Sequence, residues 1–295
     1  MSSRVFLVRF VQAFVLTLML MGALKMAPTN DVRGAMAWWE LKNTRIDAMD
    51  SEGPKVIFAG GSATLFGLSA ARFQEVSAQP AFNFGLHANF GQELLVDAAL
   101  EKSAPGDVVV WSPELSGLTG SFPTIALYGR VWELTPEGLW RILEHWFRTP
   151  PDLIARWPKA IPSQSVYHAD AIGPLGDQLR NVGRVSDALC LLEEAAPIQW
   201  ELVERILKRA KARDVRMVFR LPSIADLPCN DWVDAEVAGL VQGLHKRGIL
   251  VLNVDRMRRP ADEFYDTHYH MNQRGAGEAT GALVKALTEA GLVPL

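Results

Sequence analysis

Five short apolar runs punctuate the chain, at Lys55–Ala59, Pro80–Phe84, Asp107–Trp111, Arg216–Arg220 and Gly248–Leu252. None alternates apolar with polar residues, and each is bounded by glycine, proline or charge. Runs of that kind predict parallel strands covered on both faces. Between them apolar residues recur at three- and four-residue intervals. Leu94, Leu95, Ala98 and Ala99 do so within 92–100, and Leu202, Val203, Ile206 and Leu207 within 198–211. The pattern returns over Val233–His245 and closes the chain over Gly275–Ala290. Strand and helix in alternation imply right-handed crossovers. The expected fold is therefore α/β, a doubly wound five-stranded parallel sheet flanked by helices, whose ligands bind at the carboxyl ends of the strands.

Two regions break this rhythm. Residues 117–197 carry Trp132, Trp140, Trp146 and Trp157 among Pro150, Pro151, Pro158 and Pro162, and read as a helical insertion between the third and fourth strands. Its tryptophans suit local packing, or a lid or platform for sugar rings and acyl chains. At the other end, Arg4 and Arg9 precede Phe10–Leu24, which has no charge and only Gln12 and Thr17 as polar side chains. A basic flank before an apolar run marks a signal peptide or a signal anchor. Spanning a bilayer takes roughly 17–25 residues, which the run approaches if Arg9 snorkels to the interface. Pro28 follows the nearest cleavage candidate, so an uncleaved transmembrane helix is expected at 1–28, with a connector at 29–52 and the α/β domain at 53–295. The positive-inside rule keeps Arg4 and Arg9 cytoplasmic. The expected location is thus the inner membrane, single-pass, with the domain periplasmic or otherwise extracytoplasmic.

Composition adds little and excludes some partners. Of 295 residues, 49% are hydrophobic and 21% charged, enough for an ample core. A net charge of −3 offers no basic face for nucleic acid. Cys190 and Cys229 are too few for a disulfide framework; a single pair or two buried thiols fit equally well.

Candidate chemistry falls at two strand ends. Ser62 follows the first strand in Gly60-Gly61-Ser62, where two glycines allow a tight turn that presents a hydroxyl at the mouth of the sheet. Taken alone, this is also an ordinary strand-to-helix turn with an N-cap serine. No lysine follows at the spacing of a phosphate loop. After the last strand stand Asp266, His268 and His270. A nucleophilic serine needs a base, and a histidine base needs a carboxylate to hold its tautomer. The tight spacing of these three residues keeps them from reaching one metal ion together, so neither metal nor other cofactor is expected. His87 reads as a rim residue, and His145, His168 and His245 have no partner in the sequence.

Taken together, the two ends resemble the SGNH or GDSL-like hydrolase family. Gly60-Gly61-Ser62 stands where that family has Gly-Asp-Ser, with Gly61 in place of the aspartate. Asn83-Phe84-Gly85 is similar to its second block, and Asp266 to His270, with Asn272 and Gly275 beyond, to its last. The resemblance covers about 53–118 and 198–292. It implies Ser62 as nucleophile, His270 as base with His268 as the alternative, and Asp266 as orienting acid. The Ser62 and Gly85 N–H groups then form the oxyanion hole. Two departures stand out. His270 is four residues after Asp266 rather than three, and the third block's asparagine is missing from Trp111-Ser112-Pro113-Glu114-Leu115. Either Ser112 or Asn89 substitutes, or the hole is weaker, a loss of about 10²–10³ in rate per donor. The anchored branch of the family implies O-acyl, for example acetyl, transfer from an acyl donor to a cell-surface or secreted polysaccharide, beside a multi-spanning membrane acyltransferase partner. The alternatives are an esterase that releases acyl groups to water, and a non-catalytic scaffold of a polysaccharide-export complex.

Overall fold

The computed structural model describes residues 30–49, 53–119, 168–182, 190, 197–253 and 256–294, together with Gln12. By contact the chain divides into Met1–Met36 with Leu127–Tyr167, and Ala37–Ala126 with His168–Leu295; the site lies wholly in the second unit. That unit is built on strands β1 (Val56–Ala59), β2 (Ala81–Asn83), β3 (Val108–Trp111), β4 (Arg216–Arg220) and β6 (Leu250–Leu252), all parallel, in the order β2-β1-β3-β4-β6. The five apolar runs became the five strands. A separate two-stranded pair joins β5 (Ile224–Ala225) to β7 (Arg258–Arg259).

Helices flank the sheet: α1 (Asn30–Asp47), α2 (Ser62–Gly67), α3 (Ala70–Ser77), α4 (Gln92–Glu101), α5 (Trp200–Ala212), α6 (Val233–His245) and α7 (Gln273–Glu289). Val56, Phe58, Val108, Val110, Val218 and Leu252 form one core with Phe73 of α3 and Leu283, Val284 and Leu287 of α7. Burying whole runs of Val, Ile, Leu and Phe is the main source of stability here, at roughly 1.5–3 kcal/mol per side chain. Caps set the helix starts: Ser69 Oγ accepts from Arg72 N–H, and Asn272 Oδ1 accepts from Gly275 N–H at 3.0 Å.

The sheet reverses its winding between β1 and β3. From β1 the chain steps outward to β2, then crosses back to β3 on the other side of β1. Such a switch point opens a crevice at the carboxyl ends of the two central strands. The β1–β3 register pairs Ala59 with Trp111, so residues a few positions beyond each strand emerge side by side.

Outside the five strands, the structure adds to some expectations, and others fall outside the described residues. The connector at 29–52 is mostly helix α1, whose residues Trp38, Lys42 and Ile46 form a buried stripe at four-residue spacing. A lysine within that stripe hid the period. In the insertion at 117–197, the described segment 168–182 is loop with one 3₁₀ turn at Ala169–Ala171; the four tryptophans lie outside the described residues. Asp177 of this loop caps α3, accepting from Ala70 N–H at 2.6 Å and Ala71 N–H at 2.9 Å. Cys190 and Cys229 are joined as a disulfide. Among the described residues no helix is long and apolar enough to cross a membrane, and the apolar run at 10–24 lies outside them but for Gln12.

Candidate active site

Ser62 opens α2 immediately after the Gly60-Gly61 turn and is partly exposed. Both glycines are required. Gly60 has φ +153°, and a Cβ there would stand 2.6 Å from the Ser112 carbonyl oxygen. A Cβ on Gly61 would lie 2.2 Å from Glu114 Oε2. The space beside the nucleophile candidate is thus filled by the carboxylate of Glu114, which comes from the end of β3.

Glu114 is 3% exposed, and the groups hydrogen-bonded to its carboxylate all donate. The Ser62 hydroxyl donates to its Oε1 at 3.1 Å, and Ala63 N–H to the same oxygen at 2.7 Å. Gln92 Nε2 of α4 donates to Oε2 at 3.3 Å. That amide is oriented by Trp111, whose indole N–H donates to Gln92 Oε1 at 3.2 Å. Burial pushes the Glu114 carboxyl above the ordinary carboxylate range; the N–H groups of Ala63 and Glu114 itself, the Ser62 hydroxyl and the charge of His270 oppose this without cancelling it.

His270 and Asp266 sit on the loop between β7 and α7. Phe264 bridges Met271 in antiparallel fashion, and Tyr265 N–H donates to the His270 carbonyl at 2.6 Å. The loop therefore folds back on itself and brings its two limbs together, with His270 Nδ1 at 2.6 Å from Asp266 Oδ1. The four-residue spacing is accommodated by that turn. The His270 ring stacks on Phe66 with centroids 4.1 Å apart, and Phe66 is one helical turn beyond Ser62 on α2. Tyr269 of the same loop accepts the Leu115 N–H on its hydroxyl at 3.3 Å, next to Glu114. His268 instead packs edge-on against Tyr269 at 4.6 Å, and burial lowers its pKa. Of the two histidines, His270 is the one paired with the carboxylate.

The oxyanion donors fare less well. Gly85 N–H donates to Asn83 Oδ1 at 2.9 Å, so it is directed at its own strand end rather than at Ser62. Asn83 is buried and donates from Nδ2 to the Leu68 carbonyl at 2.9 Å, which holds its side chain in place. Behind this segment the buried Lys42 ammonium donates to the carbonyls of Asn83 (2.9 Å) and Gly85. Its pKa is lowered to about 7, chiefly by desolvation. Ser112 is fully buried and its hydroxyl accepts from Arg220 at 3.3 Å; Asn89 is exposed on a 3₁₀ turn capped by His87. The Ser62 N–H, first in its helix, has no intrahelical acceptor.

Glu114 and Gln92 were not singled out as site residues in the sequence. The usable signal was the glutamate itself, three residues beyond the clearest strand and on the crevice side of the sheet. A cavity of about 740 Å³ runs along α6, lined by Asp234, Val237, Val241 and His245 among others, and includes none of these residues. Chemistry, not concavity, locates the site.

No family model matches the chain, and no curated protein matches it. Among solved structures, protein YxiM of Bacillus subtilis aligns at 11% identity with a TM-score of 0.42, covering 81% of this chain and 57% of that one. At that distance the likeness bears on neither family nor function.

Proposed function

We propose that the protein is a serine-dependent acyl-ester enzyme of SGNH type, with Ser62 as nucleophile and the His270–Asp266 pair as its acid–base group. One observation carries the reading. Ser62 emerges at the switch point of the sheet on the same short helix whose Phe66 stacks on His270, while His270 Nδ1 is held by Asp266 at 2.6 Å. An imidazole held through Nδ1 keeps Nε2 for proton transfer. In the proposed reaction Ser62 Oγ bonds to the acyl carbon and the Ser62 N–H stabilises the oxyanion. The alcohol departs, and a sugar hydroxyl or water then takes the acyl group.

Transfer to an extracytoplasmic polysaccharide is the proposed physiological outcome. Its supports are the basic-then-apolar N-terminus and the Cys190–Cys229 disulfide, a bond that persists in oxidising compartments. A non-catalytic scaffold draws on one observation, the engagement of Gly85 N–H by Asn83. A fluorophosphonate probe and a chromogenic acetyl ester separate these. Labelling at Ser62, abolished in Ser62→Ala, supports the enzyme. An unlabelled wild-type protein with its cooperative thermal transition intact would sink it. Product analysis with and without acceptor glycan then distinguishes transferase from esterase.

A further inference from the structure

We propose that Glu114 is the proton acceptor of Ser62, and that His270 with Asp266 serves the departing and incoming alcohols instead. The inference rests on the acyl-enzyme reading above and divides its proton transfers between two groups.

Three observations lead to it. The Ser62 hydroxyl donates directly to Glu114 Oε1 and to no nitrogen of His270. The two groups nevertheless share one site, since His270 stacks on Phe66 of the short helix that Ser62 opens. The surroundings of Glu114 also suit an anion: Ser62 O–H, Ala63 N–H and Gln92 Nε2 all donate to it, and Gln92 is held in that orientation by Trp111. Other titratable or charged groups near it are Tyr269, whose hydroxyl accepts from Leu115 N–H, and Arg220 of β4, which lies behind Ser112. No Lys or Arg forms an ion pair with Glu114 among the described residues. A buried carboxylate without a cation is a stronger base than an exposed one, because burial favours its protonated form.

The proton balance closes over one cycle. In the proposed cycle Glu114 begins ionised and His270 begins with a proton to give, its Nδ1 beside Asp266. As Ser62 Oγ bonds to the acyl carbon, its proton passes to Glu114. The C–O bond to the alcohol breaks, and His270 gives its proton to the leaving oxygen. Next the acceptor hydroxyl loses its proton to neutral His270 as it attacks the acyl-enzyme. The Ser62–acyl bond breaks and Ser62 recovers its proton from Glu114, restoring the starting state with no other reactant.

Fluorophosphonate labelling isolates the first transfer, because fluoride leaves without needing a proton. The full-length protein is labelled across a pH series as wild type, Glu114→Gln, His270→Asn and Ser62→Ala. Glu114→Gln is expected to slow labelling by about 10²-fold or more. His270→Asn should label within about fivefold of wild type while losing turnover of an alkyl ester, whose leaving alkoxide does need a proton. If His270→Asn loses labelling, or Glu114→Gln keeps the wild-type rate and pH profile, the division of roles is overturned and the acyl-enzyme reading survives. If the folded wild type does not label at all, that reading itself fails and this inference with it. Should Glu114→Gln fail to fold, the His270→Asn arm decides alone.

Discussion

Two buried carboxylates stand at opposite ends of strand β3, and they are treated in opposite ways. Asp107, just before the strand, is 1% exposed and lies 2.9 Å from the Lys55 ammonium; it also accepts the N–H groups of Lys55 and Ala104, each at 2.8 Å. Every element of that arrangement is structural, because a cation and two amides compensate the charge where β1 and β3 begin. Glu114, three residues past the other end, is equally buried but meets a hydroxyl, an amide N–H and a carboxamide, with no ammonium or guanidinium bound among the described residues. A carboxylate with its own cation holds a fold together. One without a cation is costly to keep ionised, and it sits where the sheet opens. The contrast supports the Ser62 end as the proposed reactive one.

The largest effect expected at the reactive end is that of Ser62→Ala. Ester turnover should fall by about 10³-fold or more, with probe labelling gone and the thermal midpoint near wild type. Asp107→Ala is the matching substitution at the structural end. Leaving Lys55 without its partner should destabilise the fold by about 3 kcal/mol, read as a lower urea midpoint at unchanged slope. If Asp107→Ala were silent, the two carboxylates would not differ in the way described. Asp266→Asn removes the acceptor that fixes the His270 tautomer, and alkyl-ester turnover should drop by about 10²-fold.

Two further predictions sharpen the contrast through pH. The native state holds a proton on Glu114 more tightly than the unfolded chain does. Stability from this group is therefore fully present below the ordinary carboxyl value of 4.5 and declines as pH rises through the elevated native value. Urea unfolding of Glu114→Gln across that range should lack the decline; an identical slope in both proteins would contradict a raised Glu114. A pH dependence of the opposite sign is expected at Lys42, whose pKa is lowered from 10.5 to about 7 by burial. Between those values the unfolded chain binds the extra proton, so stability rises with pH across that interval. Lys42→Met should flatten that rise.

Much of the scaffold was legible along the chain. The runs at 55–59, 80–84, 107–111, 216–220 and 248–252 became strands because Val, Ile and Phe bury on both faces of a parallel sheet. Ser62 stood out as a candidate because it follows a strand and two glycines, and Asp266 and His270 because they share one short loop, which brings the two side chains together. Helix α1 was not, since Lys42 interrupts its apolar stripe and only the carbonyls of Asn83 and Gly85 explain a lysine there. The engagement of Gly85 N–H by Asn83 Oδ1 was not legible, because a partner two residues away looks like part of the same motif.

The five strands in their order along the chain, and the candidates Ser62, Asp266 and His270, thus followed from local pattern, which depends on hydrophobic period, turn residues and residue type. What only the tertiary structure decided is which group Ser62 faces. Glu114 lies 52 residues from Ser62 and reaches it because parallel pairing sets Ala59 beside Trp111 and Gly61 leaves room for a carboxylate. No sequence period encodes that meeting. It follows from the register of two strands and the absence of one Cβ.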